Sequence, residues 1–150
     1  MKKSYYLVEN IKYYYYDEEE QEDVEDRWFV GIFSTFEKSI KVKKMLETSE
    51  YVDDIRITKY DVNCGNNQKY IYILIYEYSL LIDDIYHDYY YNFDPKSSEK
   101  ECIELRNSLF KLDKYKIDSK KIYDEETYFG FGIMKFEIDM LLYDRFNEKI

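Results

Sequence analysis

The sequence is poor in the residues that interrupt secondary structure and in those that build common catalytic sites. Its 150 residues include four glycines, one proline, two cysteines, one histidine and no alanine. The scarcity of glycine and proline predicts compact elements joined by short connections. Two cysteines cannot build the disulfide framework of a small secreted domain, which favours a reducing cytosol. The single histidine, His87, excludes a metal site made of several histidines.

Long apolar runs are also missing, and we expect no signal peptide. No stretch reaches the ~18 uninterrupted apolar residues that a membrane-spanning helix needs. The N-terminal segment has two lysines but no extended apolar core and no small-residue cleavage site, so it is not typical of a signal peptide. The length suits one domain over residues 1–150. We therefore expect a single-domain cytoplasmic protein.

Negative charge, by contrast, is concentrated in one segment, Asp17–Asp26. The chain has a formal net charge of −10, and eight of these ten residues are acidic. Four of the 20 tyrosines, Tyr13–Tyr16, directly precede it. An AT-rich genome would by itself enrich tyrosine, and charge runs are most often solvated loops. However, tyrosines supply contact area and carboxylates steer cationic partners, so the segment also has the composition of a protein-binding surface.

Hydrophobic periodicity predicts six strands and two helices. The predicted strands are Ser4–Tyr16, Arg27–Ser34, Asp54–Asn63, Lys69–Leu80, Ile85–Phe93 and Phe129–Met140. One helix is predicted from about Phe36 to Ser49, with Ser34 as the N-cap of an S-x-x-E capping box. The other is predicted to follow a second such box, with Ser98 as its N-cap, and to end near Lys114. The predicted buried stripe of the second helix is Cys102, Leu105, Leu109 and Leu112. Leu141–Ile150 is predicted to form a short helix on a sheet edge.

The order of these elements, ββαβ followed by ββαβ, indicates an internal duplication. The repeat units lie at about residues 4–63 and 69–140, and they close on similar pentapeptides, Lys59–Asn63 and Lys135–Asp139. Asp17–Asp26 falls in the first hairpin, where the second unit has only Leu81–Asp84, so we predict an insertion at the hairpin tip. The predicted fold class is α+β, with two ββαβ units and mostly antiparallel sheet. The alternative is a ferredoxin-like core with added strands.

Three segments of the first unit, Tyr6–Glu9, Val30–Lys38 and Ile55–Val62, follow one another in a recognisable order. Over about residues 5–63 they resemble a family of small uncharacterised bacterial ββαβ domains. The resemblance implies a cytosolic product of the kind sometimes encoded near toxin–immunity clusters. It also implies that Gly31 and Ser34 serve the fold, through close packing and a helix cap, and it brings no catalytic residues. A tryptophan-containing tail that is common in the family is missing from this chain.

Patterns that would indicate catalysis are weak. Cys102 lies on an apolar helical stripe, where a buried cysteine usually acts as a small hydrophobe, and Cys64 lies in a predicted turn. The run Gly130–Gly132 lacks the third glycine of a dinucleotide-binding loop. The pairs Asp53–Asp54 and Asp83–Asp84 lack the spacing of a calcium loop. We predict a protein that is not an enzyme and binds no cofactor or metal.

These observations favour an acidic intracellular binding protein that inhibits a basic protein partner, in the form of an immunity protein that neutralises a toxin. One alternative is a phage-encoded inhibitor of a defence enzyme, anti-CRISPR-like, that mimics nucleic acid. Another is a small-molecule-binding module in a groove between the units. The charge disfavours direct nucleic-acid binding. The predicted partner-binding residues are Tyr13, Tyr14, Tyr15, Tyr16, Asp17, Glu18, Glu19, Glu20, Glu22, Asp23, Glu25 and Asp26.

Overall fold

Eight regular elements make up the described part of the chain. The computed structural model describes the backbone of residues 1–17, 22–48, 54–82, 85–112 and 128–142. It also describes their side chains, except those of residues 12–17, 22–27, 77–82, 85–90 and 128–129. In chain order the elements are β1 (Lys2–Asp17), β2 (Glu22–Phe33), α1 (Phe36–Leu46), β3 (Asp54–Asn63), β4 (Tyr70–Ile82), β5 (Ile85–Asn92), α2 (Glu99–Leu109) and β6 (Tyr128–Glu137).

The strands form two three-stranded sheets that share one connectivity. β1 lies between β2 and β3 in the first sheet, and β4 lies between β5 and β6 in the second. Each sheet therefore has the first strand of a ββαβ unit at its centre, and the helix precedes the third strand. The predicted α+β class with two ββαβ units is confirmed. A ferredoxin-like core needs the order βαββαβ in one sheet, which the described strands do not form.

The contacts divide the chain into two compact units. Unit 1 contains Met1–Lys69 and Phe136–Ile150, and unit 2 contains Tyr70–Lys135. Unit 1 therefore includes the last two residues of β6, Phe136 and Glu137, together with the residues that follow them. Phe136 is only 1% exposed, and its ring meets that of Phe29 edge-on with 5.4 Å between centroids.

The hairpin of β1 and β2 is longer than the sequence pattern predicted. We expected the second strand to begin at Arg27, with the whole acidic segment inserted at the hairpin tip. Instead, β2 begins at Glu22, and its first residues pair antiparallel with the end of β1, from Tyr13↔Glu25 to Asp17↔Glu22. Backbone hydrogen bonds to a neighbouring strand hold these residues extended, although acidic residues have low intrinsic strand propensity.

Helix α1 covers one face of the first sheet. Val42 and Leu46 of the helix join Val8, Val30 and Ile55 of the strands in a buried apolar cluster. The helix ends at Leu46, three residues before the predicted end, and residue 49 lies outside the described ranges.

The N-cap of α1 is Thr35, and the prediction of Ser34 is wrong. The Thr35 hydroxyl accepts a hydrogen bond from the Lys38 backbone N–H at 3.2 Å. Ser34 instead donates to Asp139, a contact across 105 residues of sequence. In α2 the predicted cap is correct, since Ser98 accepts from the Glu101 N–H at 3.3 Å. The predicted equivalence of Ser34 with Ser98 is therefore off by one residue.

Unit 2 is built around β4. The near-continuous apolar run Ile71–Tyr76 predicts a central strand that is buried on both faces. Ile73, Leu74 and Ile75 are all buried, which confirms this prediction. On α2, Cys102 is buried, but the helix ends at Leu109 and Leu112 is 52% exposed beyond it. The predicted stripe is thus correct at its start and wrong at its end.

The strand β6 ends at Glu137, three residues earlier than predicted, because the chain turns there. Asp139 adopts a left-handed conformation with φ of 65°. Leu141 then forms an antiparallel bridge with Gly31 on β2, so residues 141–142 are not helical. The predicted helix otherwise falls on residues 143–150, outside the described ranges. Tyr60 and Phe136 are the second residues of the two similar pentapeptides Lys59–Asn63 and Lys135–Asp139, and their structural equivalence stays a prediction.

Candidate protein-binding surface

The tyrosine and acidic segments lie on paired strands. In the described part of the chain, β3 pairs with β1 only as far as Ile11, opposite Asp54. Beyond that point β1 continues for six residues to Asp17, paired with β2. We call residues 12–17 and 22–27 the acidic ribbon. Six extended residues span roughly 20 Å.

The ribbon unites most of the predicted partner-binding residues. Its ladder places Tyr13 opposite Glu25 and Tyr16 opposite Asp23. The ribbon backbone includes Tyr13, Tyr14, Tyr15, Tyr16, Asp17, Glu22, Asp23, Glu25 and Asp26, whereas Glu18, Glu19 and Glu20 fall outside the described residues. The sequence predicted that the two segments adjoin along the chain. Their cross-strand pairing is new.

The ladder also places like charges opposite each other. Asp17 pairs directly with Glu22 at the end of the ribbon. Like charges at opposite positions of an antiparallel pair are destabilising. A cationic partner would remove this repulsion.

A second cluster of polar contacts surrounds Asp139. Its carboxylate accepts hydrogen bonds from the Ser34 backbone N–H and hydroxyl, both at 2.7 Å, and from the Lys38 ammonium at 2.8 Å. Burial acts to raise the pKa of Asp139, but the hydrogen bonds from Lys38 and Ser34 outweigh it and leave the pKa lowered. Asp139 therefore remains a carboxylate that joins the β2–α1 junction to the chain after β6.

The residues after this carboxylate lie along the outer edge of β2. The Asp139 N–H donates to Ile32 O at 2.9 Å and the Leu142 N–H donates to Val30 O at 2.8 Å. We call Asp139–Leu142 the edge segment. A β-carbon on Gly31 would lie 2.8 Å from Met140 O, so glycine is required for this approach. The close-packing role expected of Gly31 is thus present.

Two depressions flank Asp139 in unit 1. The first is a groove of about 230 Å³ between α1 and the edge segment, lined by Phe33, Lys38, Lys41, Val42, Met45, Asp139, Met140 and Leu141. The second is an open cleft of about 610 Å³ near the start of α1, with Tyr5, Tyr6 and Phe36 among its lining residues. The Tyr6 and Phe36 rings are 5.6 Å apart. Sequence reasoning missed both, because their walls come from segments far apart in the chain.

The two cysteines are free and buried. Burial raises the pKa of the Cys102 thiol to about 11, so at neutral pH it is the weakly nucleophilic thiol. Cys64 donates to Val62 O at 3.4 Å. Burial, aided by a hydrogen bond with Cys64, raises the pKa of the neighbouring Tyr5 to about 12. Both cysteines are thus part of the packed interior.

Within the described ranges, no three His, Cys, Asp or Glu side chains gather as a metal site would require. No helix in the same ranges is long and apolar enough to cross a bilayer.

Comparisons with known protein families, with curated proteins and with solved structures find no match for the chain. The resemblance of residues 5–63 to small bacterial ββαβ domains therefore stays a prediction.

Proposed function

We propose that this chain is a non-enzymatic acidic binding protein that inhibits a basic protein partner, as an immunity protein neutralises a toxin. The acidic ribbon is the recognition element. Its carboxylates pair with lysine or arginine side chains that the partner uses for its own activity, and Tyr13–Tyr16 add contact area. Inhibition follows from occlusion of those cationic side chains.

The pairing of the tyrosine segment with the acidic segment carries this proposal. A β-ladder orders residues that would otherwise have to be immobilised on binding, so less conformational entropy is lost when the partner arrives. The ribbon contains five acidic residues on its paired backbone and two basic residues, Lys12 and Arg27. Clustered charge of one sign also accelerates association with an oppositely charged surface.

The free, buried cysteines support action in the cytoplasm, where thiols remain reduced. We place the inhibitor there, with a toxin or a nucleic-acid-binding enzyme as its target. If the target binds nucleic acid, the carboxylates would occupy the sites of phosphates, and a phage-encoded anti-defence inhibitor would act in the same way. Competition by nucleic acid for the captured partner distinguishes this form from one that blocks another basic surface.

The test is capture of the partner from the native host with two matched variants. The ribbon-neutral variant carries Glu22→Gln, Asp23→Asn, Glu25→Gln and Asp26→Asn, which preserve side-chain size. The control carries Glu37→Gln, Asp54→Asn, Asp94→Asn and Glu99→Gln at exposed positions elsewhere, with the same change in net charge. We expect the wild type and the control to retain a basic partner and the ribbon-neutral variant to lose it. Equal retention by all three would contradict the proposal.

A small-molecule-binding role is the second candidate, and the cleft near the start of α1 favours it. Its volume of about 610 Å³ lies within the range of roughly 300–1,000 Å³ that is usual for ligand sites. Tyr6 and Phe36 offer aromatic faces at its wall. A ligand screen by thermal shift, repeated with Phe36→Ala, tests this role. Stabilisation that disappears in Phe36→Ala would support it, and the absence of any stabilising ligand would argue against it.

A further inference from the structure

The groove beside α1 has a charge opposite to that of the acidic ribbon. Phe33 and Val42, which are 3% and 8% exposed, form its apolar floor together with Leu141. Lys38 and Lys41 are exposed at its rim. We call this depression the lysine-edged groove.

Part of the positive charge near this groove has no ion-pair partner among the residues that the structure describes. Helix α1 contains four lysines and one glutamate. Lys38 pairs with Asp139 at 2.8 Å and Lys43 with Glu47 at 3.8 Å. Lys41 and Lys44 are exposed and form no ion pair with any residue in the described ranges. Since residues three apart are neighbours on a helix, these two free charges lie side by side.

The size of the groove favours a protein side chain as its occupant. Its volume of about 230 Å³ is below the roughly 300–1,000 Å³ of sites that enclose a whole small molecule. One or two apolar side chains fit this space. An occupant that also forms ion pairs with Lys41 and Lys44 has acidic residues on both sides of an apolar residue.

The chain itself contains a segment of this kind. Glu22–Asp26 reads Glu-Asp-Val-Glu-Asp, a single apolar residue with two acidic residues on each side. It lies on the backbone of the acidic ribbon. The groove and this segment are therefore complementary in charge, and both are present in every copy of the protein.

We propose that the lysine-edged groove binds Glu22–Asp26 of a second copy, so that two molecules form a reciprocal dimer. Each copy supplies one groove and one acidic segment, which gives two equivalent contacts, as in other two-fold dimers. The dimer occupies the acidic ribbon, so a basic partner and the second copy compete for it. Self-association of this kind does not require that the proposed inhibitory function be correct.

The dimer is weak and sensitive to salt. Each contact is limited to a groove of about 230 Å³, and small interfaces are typical of transient complexes. The attraction is local, whereas the net charge of −10 repels at longer range. Salt screens both effects over a Debye length of about 8 Å at physiological ionic strength, so dimerisation is strongest at moderate salt.

Sedimentation velocity with a charge-swap pair tests the proposal. The groove-reversed variant carries Lys41→Glu and Lys44→Glu, and the ribbon-reversed variant carries Glu22→Lys and Asp26→Lys, the two acidic positions on the same face of β2 as Val24. Alone, each sets like charges against each other in both contacts, so we expect its Kd to rise at least about tenfold. Mixed together, the two variants restore opposite charges in both contacts, so we expect a heterodimer about as tight as the wild-type dimer.

The control carries Lys59→Glu and Lys111→Glu, exposed positions outside the groove that give the same change in net charge as the groove-reversed variant. We expect it to dimerise like the wild type, and circular dichroism of every variant confirms that it is folded. Three results would overturn the proposal. They are a wild type that remains monomeric up to about 1 mM, a groove-reversed variant that dimerises like the control, and a mixture of reversed variants that forms no heterodimer. Occupation of the groove by another part of the same chain would give the first result.

Discussion

Substitution of Asp139 tests how unit 1 is held together. The carboxylate accepts three hydrogen bonds, and its backbone lies at φ of 65°. Asp139→Asn keeps an acceptor for the Ser34 N–H and tolerates the left-handed conformation, but it loses the ion pair with Lys38. That pair is partly exposed, so we expect a loss of about 1 kcal/mol in the free energy of unfolding.

Asp139→Ala has a larger expected effect because it removes every acceptor. The Ser34 N–H and hydroxyl lose their partner, and a β-carbon-bearing residue without a polar side chain must adopt positive φ. The loss of the acceptor for Ser34 costs about 1–3 kcal/mol in a partly buried site. The positive φ of the alanine costs about 1 kcal/mol. Allowing for solvent access, we expect a total loss of about 2–3 kcal/mol.

Urea unfolding followed by Trp28 fluorescence measures both variants. Trp28 is the only tryptophan and packs against the core of unit 1, so its emission reports on that unit. The pKa of Asp139 is lowered in the folded state. Its stabilisation is therefore present above the unfolded-state pKa and is lost as the pH falls through the folded-state pKa. The difference between wild type and Asp139→Asn should shrink over that acidic range. An alanine variant no less stable than the asparagine variant would refute this account of Asp139.

Three further predictions concern packing and thiol chemistry. Gly31→Ala should cost about 2 kcal/mol in urea unfolding, because the new β-carbon would displace Met140 and the edge segment, whereas Gly65→Ala, with open space around it, should change little. A Gly31→Ala variant as stable as Gly65→Ala would contradict that contact. Phe136→Ala should cost about 3–5 kcal/mol because the side chain is fully buried, and the 49% exposed Phe36 should cost far less when replaced by alanine. Equal losses from the two would place Phe136 outside the core. In a Cys64→Ser background, Cys102 should react with a thiol reagent at pH 8 only after unfolding, because its pKa of about 11 leaves a thiolate fraction on the order of 0.1%. Fast labelling of the native protein would show that this thiol is accessible.

Local patterns in the sequence predicted the elements whose limits depend on local chemistry. Ile55, Ile57 and Val62 are interspersed with polar residues, and this pattern predicted β3 with the limits that the structure has, Asp54–Asn63. The Ser98 hydroxyl caps α2 because the helix begins directly after it. The apolar run of β4 predicted burial on both faces because a central strand is covered on both sides.

The errors occur where distant segments meet. Ser34 and Thr35 are adjacent hydroxyl residues, and either can cap a helix. The choice depends on Asp139, which lies 105 residues away and takes both hydrogen bonds that Ser34 can donate. Likewise, the acidic composition of Glu22–Asp26 predicted a loop, but pairing with the end of β1 makes it a strand. Neither contact leaves a periodic signal in the sequence.

The most direct test of the central claim is the affinity of the captured basic partner for three proteins: the wild type, the ribbon-neutral variant and its charge-matched control. Removal of four carboxylates from a charge-complementary contact should raise the Kd by at least about tenfold at low salt, and the difference should narrow as salt screens the interaction. The account predicts that the control keeps the wild-type Kd. A ribbon-neutral variant that binds as tightly as the control at every salt concentration would contradict the assignment of partner recognition to the acidic ribbon.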